Sequence, residues 1–534
     1  MSGRSGSVIL SLASLTLAAR VVGFGRSVVF SKTVGDTCLG DAYNAANALP
    51  NILFEIVAGG VLAGVVVPVV ARHVAAGRRE STAQTVSALL TWTLVVLTPA
   101  ALVALFAAPW YGRLYASDAC AGSADTVAAL LVAFAPQVWL YGLAVVSAGV
   151  LQAHARFLAA ALAPLLSSVV VVATYLGYAA LAPSASRDDL AALTSRATAV
   201  LGWGTTLGVL VLAGCTLVPL ARLGVRVRPR WRFAAGDRSV IGRIALAGIV
   251  GLVLQQLSVL LISWATQRSG DPGALTRFTW ANALYLLPYA VLVAPLLQLA
   301  FPRLAAAAEG EQGSAAVSRV LAATVAPVVG LAWLGAALLA ATAVPVARVF
   351  VLGPGSGRTA ALAAPIAAFA PAVVGFALLG LASRTLLAQH LARDSGLTTG
   401  TGWATVILAV AVLRLLLPTT GLVTGVAAAV SFGMAVGAAV GWSRLRRRLP
   451  GPLGLGRSLL TGGLAAVIAV ALLWWPAGRL ADASLVVALL GGIAVAVGAT
   501  GIYVGVLAVV DRPLLGQLRR LRSTAGAEVA HADR

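Results

Sequence analysis

Apolar stretches of about 20 residues recur from one end of this chain to the other, and nothing else in the sequence limits its fold so strongly. A helix needs that length to cross a hydrocarbon core, where only helices and closed barrels satisfy every backbone group. With 60% hydrophobic and 10% charged residues over 534 positions, and a mean hydropathy of +0.95, no soluble core could hide the apolar surface. The expected fold class is an all-α polytopic membrane protein. Breaks at Pro, Gly and charge divide it into fourteen candidate spans, from 8–32 and 41–70 through 242–265 and 277–302 to 458–475 and 484–510. Only Pro418, Thr419, Thr420 and Gly421 separate the eleventh span from the twelfth. The first run carries Arg20 and Arg26 and lacks a small-residue cleavage site, so it reads as a span rather than a secretory signal.

The net charge of +21 would suggest nucleic acid in a soluble protein; in a membrane protein its distribution matters more. With the N-terminus placed in the cytoplasm, 26 of the 38 basic residues fall on inner segments, 9 on outer ones and 3 within spans. That bias predicts cytoplasmic N- and C-termini and an even number of spans. The most basic connector, 221–243, follows the sixth span and reads as a bridge between two halves, anchored by positive charge. Contact with anionic membrane lipids is its other reading.

An internal echo supports two halves. Asn47-Ala48-Leu49-Pro50 precedes Pro68 and Arg72 in the second span; Asn282-Ala283-Leu284 and Pro288 precede Pro302 and Arg303 in the eighth. This fits parallel six-helix repeats. The expected organisation is a first lobe over 1–222, a basic linker over 223–241, a second lobe over 242–448, a final helix pair over 449–510 and a short basic tail over 511–534.

The candidate binding residues are the charges a bilayer should reject, at roughly 3 kcal/mol each near its centre. At 100° per residue, Asp41, Asn44, Asn51 and Glu55 share one face of the second span, with Ala48 and Gly59 beside them. That stripe is either helix–helix glue or a cavity lining. Arg20 and Arg26 lie about 120° apart, with Gly23 and Gly25 between them to allow a bend. A guanidinium suits a diphosphate; it could equally neutralise Asp41 and Glu55. Thr279, Asn282, Tyr285 and Tyr289 line one face of the eighth span with Arg277 at its outer end, while Pro50, Pro68 and Pro288 are candidate hinges.

Enzyme signals are poor: the sequence has no Gly-rich phosphate loop, no metal-spaced His/Cys set and no nucleophile elbow. No cofactor or metal is expected. Asp188-Asp189 reads as a solvated pair in an outer loop. Cys38 and Cys120 both fall on the expected outer side, where they would be either a disulfide or two free thiols.

The stretches RVVGFGRSVVFSKTVG and DAYNAANALPNILFEIVAGGVLAGVVVPVVAR resemble the start of the MurJ/MviN lipid II flippases, in an actinobacterial-like variant, within the MOP exporter superfamily. Arg20, Gly23, Phe24, Arg26, Asp41-Ala42, Leu49-Pro50-Asn51, Gly60 and Pro68 carry the likeness, and FTWANALYLLPYAVLVAPLLQLAFPRLA looks like the eighth helix. The resemblance implies two six-helix lobes around a V-shaped central cavity, with a lipid-tail groove on the final pair. It further implies flipping of undecaprenyl-diphosphate-linked peptidoglycan precursor by alternating access, and a partnership with cell-wall synthesis machinery. Arg20, Arg26 and Asp41 match positions that matter in the family cavity. Two positions depart: Phe54-Glu55 stands where many relatives have an Arg pair, and Asn282-Ala283 where they have Asp-Arg. The alternatives are a MOP exporter of another polyprenyl-linked glycan or small molecule, and a non-transporting envelope-synthesis scaffold.

Overall fold

The computed structural model describes residues 2–56, 63–182, 184–225, 227–233, 237–310, 313–351, 356–416, 421–514 and 516, with the side chains of 2–14, 16, 17, 20, 63–65, 184, 185, 237–249 and 356 left out. Its secondary structure is helical. A first series comprises α1 (Ser2–Thr33), α2 (Cys38–Glu55), α3 (Ala63–Ala75), α4 (Arg79–Phe106), α5 (Ala108–Leu114), α6 (Ser123–Phe134), α7 (Gln137–Ala153), α8 (Phe157–Leu181) and α9 (Ser195–Arg222). A second comprises α10 (Asp237–Gln267), α11 (Ala274–Pro288), α12 (Ala294–Glu309), α13 (Gly313–Ala341), α14 (Ala343–Phe350), α15 (Ser356–Ala368), α16 (Ala370–Ala388), α17 (Ala392–Leu416) and α18 (Leu422–Arg446). The final pair is α19 (Leu455–Gly478) and α20 (Leu485–Val510). Twelve helical stretches among the described residues are long and apolar enough to span a bilayer, and they correspond to the third through fourteenth spans of the sequence reading. The first two spans fall on α1 and on α2–α3, where description is partial. The chain is a multi-pass membrane protein.

The two series repeat each other with an offset of 235 residues, the separation of Asp41 from Thr276. α1, α5 and α8 begin that far before α10, α14 and α17. Backbone detail follows the same register. Gly35 and Gly270 take φ values of 82° and 79°, and Ala155 and His390 take 57° and 60°. At the latter pair the chain leaves a helix through matching bonds, Arg156 N–H to Leu151 O at 2.8 Å and Leu391 N–H to Leu386 O at 2.9 Å. A side chain in the left-handed region is uncommon, so its recurrence at equivalent turns marks one motif used twice.

The chain divides into two compact units, 1–276 and 277–534. The sequence reading began its second lobe at 242, but α10 is counted with the first unit because it rests on α2 and α3. Within the first unit α9 packs on α6, α7 and α8, and α7 on α3 and α4; within the second, α18 packs on α15, α16 and α17, and α16 on α12 and α13. The final pair lies on the second unit through α13 and α14. Helix starts follow local chemistry: Thr37, Thr194 and Ser484 occupy N-caps, their hydroxyls accepting from Gly40 N, Ala197 N and Val487 N. The Asp188-Asp189 pair caps rather than merely being solvated. Asp188 Oδ1 accepts from Cys38 N at 3.4 Å and Asp189 Oδ1 from Ala191 N at 3.2 Å.

Small residues set the closest helix contacts. Gly433, Gly437 and Gly441 recur every fourth position of α18; a Cβ on Gly437 would lie 2.5 Å from Leu379 Cδ1 and 3.0 Å from Gly402 Cα on α17. Gly437→Val should therefore cost about 1–3 kcal/mol of stability, read as a lowered Tm of the purified protein. An unchanged Tm would mean that α17 and α18 can separate freely at this point.

Candidate functional site

The polar stripe of α2 divides into a locked half and an open half. Asp41 is 3% exposed, and its carboxylate accepts from Gly273 N at 2.8 Å, Thr276 N at 2.9 Å and Thr276 Oγ1 at 2.9 Å. It thus caps the start of α11 from another helix, placing negative charge where amide donors and the helix dipole converge. Asn44 completes the junction, donating from Nδ2 to Gly40 O at 2.9 Å and Thr276 Oγ1 at 3.0 Å. The backbones come close enough that a Cβ on Gly40 would meet the Gly35 carbonyl and Thr276 Oγ1. One turn earlier the disulfide Cys38–Cys120 ties the start of α2 to the turn before α6, across 82 residues.

Two tyrosines of the first unit reinforce this end. Tyr111 donates to Ala45 O of α2 at 2.8 Å and Tyr115 to Leu260 O of α10 at 3.2 Å. Burial pushes both phenols above their ordinary range, so both stay neutral donors. The guanidinium of Arg268 donates to the carbonyls of Arg113 and Leu114, closing the end of α5.

The other half of the stripe is open. Asn51 is half-buried and Glu55 exposed on the protein's surface. Within a membrane span a carboxylate so placed needs water rather than lipid beside it. Neighbouring Phe54 packs on Tyr141, with ring centroids 4.6 Å apart.

Arg26 of α1 is half-buried and lies within electrostatic reach of Tyr43, Tyr141 and Tyr175. Sequence reasoning missed these tyrosines. Tyr43 shares its hydroxyl with Tyr175 at 3.0 Å and Thr205 at 3.2 Å, and its ring stands edge-on to Phe134. Nearby, Gln137 donates to Thr206 Oγ1 at 2.8 Å. The structure therefore keeps a permanent cation within electrostatic reach of a tyrosine cluster, an arrangement that can attract an anion. Arg20 lies in α1, but its side chain is outside the described residues, as is Gly60. α1 stays helical through Gly23 and Gly25, where an added Cβ would meet open space.

In the second unit Arg277 is 6% exposed and Asn282 half-buried. Tyr285 stacks on Phe369 at 5.0 Å and Tyr289 packs on Phe376 at 4.5 Å, so both expected wall tyrosines make aromatic contacts inside their own unit. Of the candidate hinges, Pro50 and Pro68 lie inside α2 and α3, and Pro288 adjoins a π-helical turn, Tyr289–Val293. Such turns supply a weak point in a helix.

Comparison with known proteins agrees with this architecture. The family model described as Lipid II flippase MurJ matches residues 30–491. A probable lipid II flippase MurJ of Haemophilus influenzae is 24% identical over 315 residues, covering 57% of this chain and 59% of that protein. The lipid II flippase MurJ of Burkholderia cenocepacia is 26% identical over 305 residues, covering 56% and 57%. The chain thus spans little more than half the length of these curated relatives. Among solved structures, MurJ in an inward closed conformation superposes with a TM-score of 0.70 at 15% identity, over 93% of this chain and 100% of that one. An inward-facing MATE multidrug transporter of the MOP superfamily gives 0.64 at 16% identity, over 82% and 94%. The structural likenesses carry the fold, and the family model, matched over most of the sequence, carries membership: this chain belongs to the MurJ lipid II flippase family.

Proposed function

We propose that this protein flips lipid II, carrying the undecaprenyl-diphosphate-linked headgroup from the inner to the outer leaflet of a bacterial plasma membrane by alternating access. It acts as a transporter rather than an enzyme. The observation that carries the reading is Arg26, a half-buried guanidinium on a membrane helix within electrostatic reach of Tyr43, Tyr141 and Tyr175. A diphosphate moved unaided through hydrocarbon would lose its hydration without compensation. A fixed fork of donors in a wet path replaces that hydration, and its charge favours an anionic headgroup over a cationic drug.

The remaining residues fall into place around that step. Arg20, Arg277 and Asn282 supply further donors to the headgroup, and the open half of α2, Asn51 and Glu55, keeps the path polar. Asp41 and Asn44 lock one end of α2 between strokes, and Gly23, Gly25 and the π-turn after Pro288 give the helices places to bend. As transport lobes we propose 1–222 and 242–448, a division by helix repeat that differs from the compact units 1–276 and 277–534 at α10. The polyprenyl tail stays with the final pair, 449–510, where an apolar groove of about 290 Å³ runs between Trp333, Ala336 and Ala340 on α13 and Ala466, Val470 and Trp474 on α19. Both termini face the cytoplasm, the disulfide faces the oxidising exterior, and cell-wall synthesis on that side draws flipping forward by consuming lipid II.

The test is complementation of a bacterium depleted of its lipid II flippase, scored with a probe for lipid II in the outer leaflet. Expression of this chain should restore growth and surface lipid II. A well-expressed chain that restores neither would overturn the assignment in favour of another cargo or a scaffold.

A further inference from the structure

At one end of the first unit four membrane helices stop together. α3 ends at Ala75, α4 starts at Arg79, α7 ends at Ala153 and α9 at Arg222. Between these ends lies a cavity of about 790 Å³ whose wall includes His73, Arg78, Arg79, His154, Arg228 and Arg230, against one carboxylate, Glu80, among the described lining residues. None of these residues belongs to the region around Arg26 and Asp41.

Arg228 and Arg230 come from the connector after α9, which is held in place as an extended strap along α4. Arg228 N donates to Ser87 Oγ at 3.2 Å and Arg230 N to Thr91 Oγ1 at 3.1 Å. Gln84 Nε2 donates to the carbonyls of Arg232 and Phe233, both at 3.3 Å, and Trp92 Nε1 to Trp231 O at 3.1 Å. Val225 and Phe233 pack onto the core formed by Val70, Val86, Leu90 and Val150. The sequence VRVRPRWRF has the matching period of two, apolar and basic residues alternating from Val225 to Phe233. Mere positive-inside anchoring needs charge on this side of the membrane; it does not need a backbone pinned where two arginines line a cavity.

The start of α4 adds a second element. Its N-cap position is Arg78, which makes no side-chain cap bond; Arg79 N donates to Gly77 O at 3.1 Å, and the amides that follow in the first turn lack the acceptor a Ser or Asp would give. A tetrahedral oxyanion supplies such an acceptor and complements the helix dipole as well as the arginines. Trp92 and Trp231, edge-to-face at 5.6 Å and exposed by 41% and 61%, stand beside the strap as indoles do at a membrane–water boundary.

We propose that this cavity binds a phosphate-bearing anion, gripped by Arg78, Arg79, Arg228 and Arg230 and by the open first turn of α4. Two sources share that chemistry: the headgroup of an acidic phospholipid in the adjoining leaflet, and a water-soluble phosphate or pyrophosphate. The site does not depend on the cargo of the transport path, and its test reads binding rather than transport.

The full chain is placed in phosphatidylcholine nanodiscs. In one arm, spin-labelled phosphatidylglycerol is doped into the bilayer and its motionally restricted fraction measured; in the other, pyrophosphate is titrated at physiological salt and followed by phosphorus NMR linewidth. Wild type should bind in one arm, and the responding arm identifies the source. Arg228→Gln with Arg230→Gln should weaken that binding at least about tenfold, the effect expected from losing charge-assisted bonds. Arg446→Gln with Arg447→Gln, which removes equal charge from the end of α18, should leave it unchanged. Arg78→Gln provides the same loss without touching the strap, should the double variant misfold. Equal weakening by the α18 control, or no binding above phosphatidylcholine and chloride in either arm, would overturn the proposal.

Discussion

Asp41→Asn is expected to unlock the start of α11 and to stop the proposed transport while leaving the protein folded. The carboxylate takes three donors, from Gly273 N, Thr276 N and Thr276 Oγ1. An Asn of the same shape offers one oxygen, and its amide nitrogen must then face an N–H donor. A hydrogen bond to a charged group is worth about 1.5–3 kcal/mol, and a buried donor left unpaired costs a further 1–3 kcal/mol. A loss near 3 kcal/mol corresponds to a change of about 150-fold in the closed-to-open ratio. Hydrogen exchange of the peptide containing Gly273 and Thr276 should speed up by about that factor, and surface lipid II in the complementation assay should fall at least about tenfold. The disulfide and Tyr111 still hold the neighbouring backbone, so circular dichroism and membrane abundance should stay near wild type. Unchanged exchange at these amides would sink the idea of a lock.

Arg26→Ala should be at least as damaging, through the cargo rather than the lock. Its guanidinium lies within electrostatic reach of Tyr43, Tyr141 and Tyr175. Removing a bidentate charged contact of about 3 kcal/mol should cut flipping about 150-fold at matched abundance. Arg26→Lys keeps the charge but loses the planar fork, so it should fall between the two, near one-tenth of wild type. If Arg26 were only a packing element, Ala would lower Tm and abundance while Lys behaved as wild type. The graded transport series at constant Tm is the outcome that separates the roles.

The reach of the sequence can be judged residue by residue. Membrane helices were legible because hydrocarbon imposes a length and a composition, and α17 ends at Leu416 and α18 starts at Leu422, either side of the break read at Pro418 to Gly421, of which 418–420 lie outside the described residues. Asp41 was legible as a misplaced charge. Its partners were not, because Thr276 lies 235 positions away and a threonine in an apolar run signals nothing. The Asn47–Asn282 echo has the same offset and could have led from Asp41 to Thr276. Tyr43 drew no notice because a lone aromatic in an apolar helix carries no sign of the partners it meets. The strap was read only for its charge, although its alternation carried the extended conformation in plain view. Helical angles alone placed Asp41 and Glu55 on one face, yet one is 3% exposed and the other open. What differs is the neighbour each meets, and periodicity holds no information about neighbours.

The register of 235 bears on how such a lock could arise. Asp41 and Thr276 occupy equivalent positions of the two helical series. In an ancestor whose halves were identical, this contact would have joined a residue to its own copy. Two carboxylates there would repel, and two threonines would offer each other no charge. A junction of one acceptor and one donor set becomes available only when the two copies can mutate independently. Divergence of the two repeats is therefore what permits this contact to be strong, and a change at a single pair of equivalent sites is enough to turn a like-with-like pair into an acceptor and its donors.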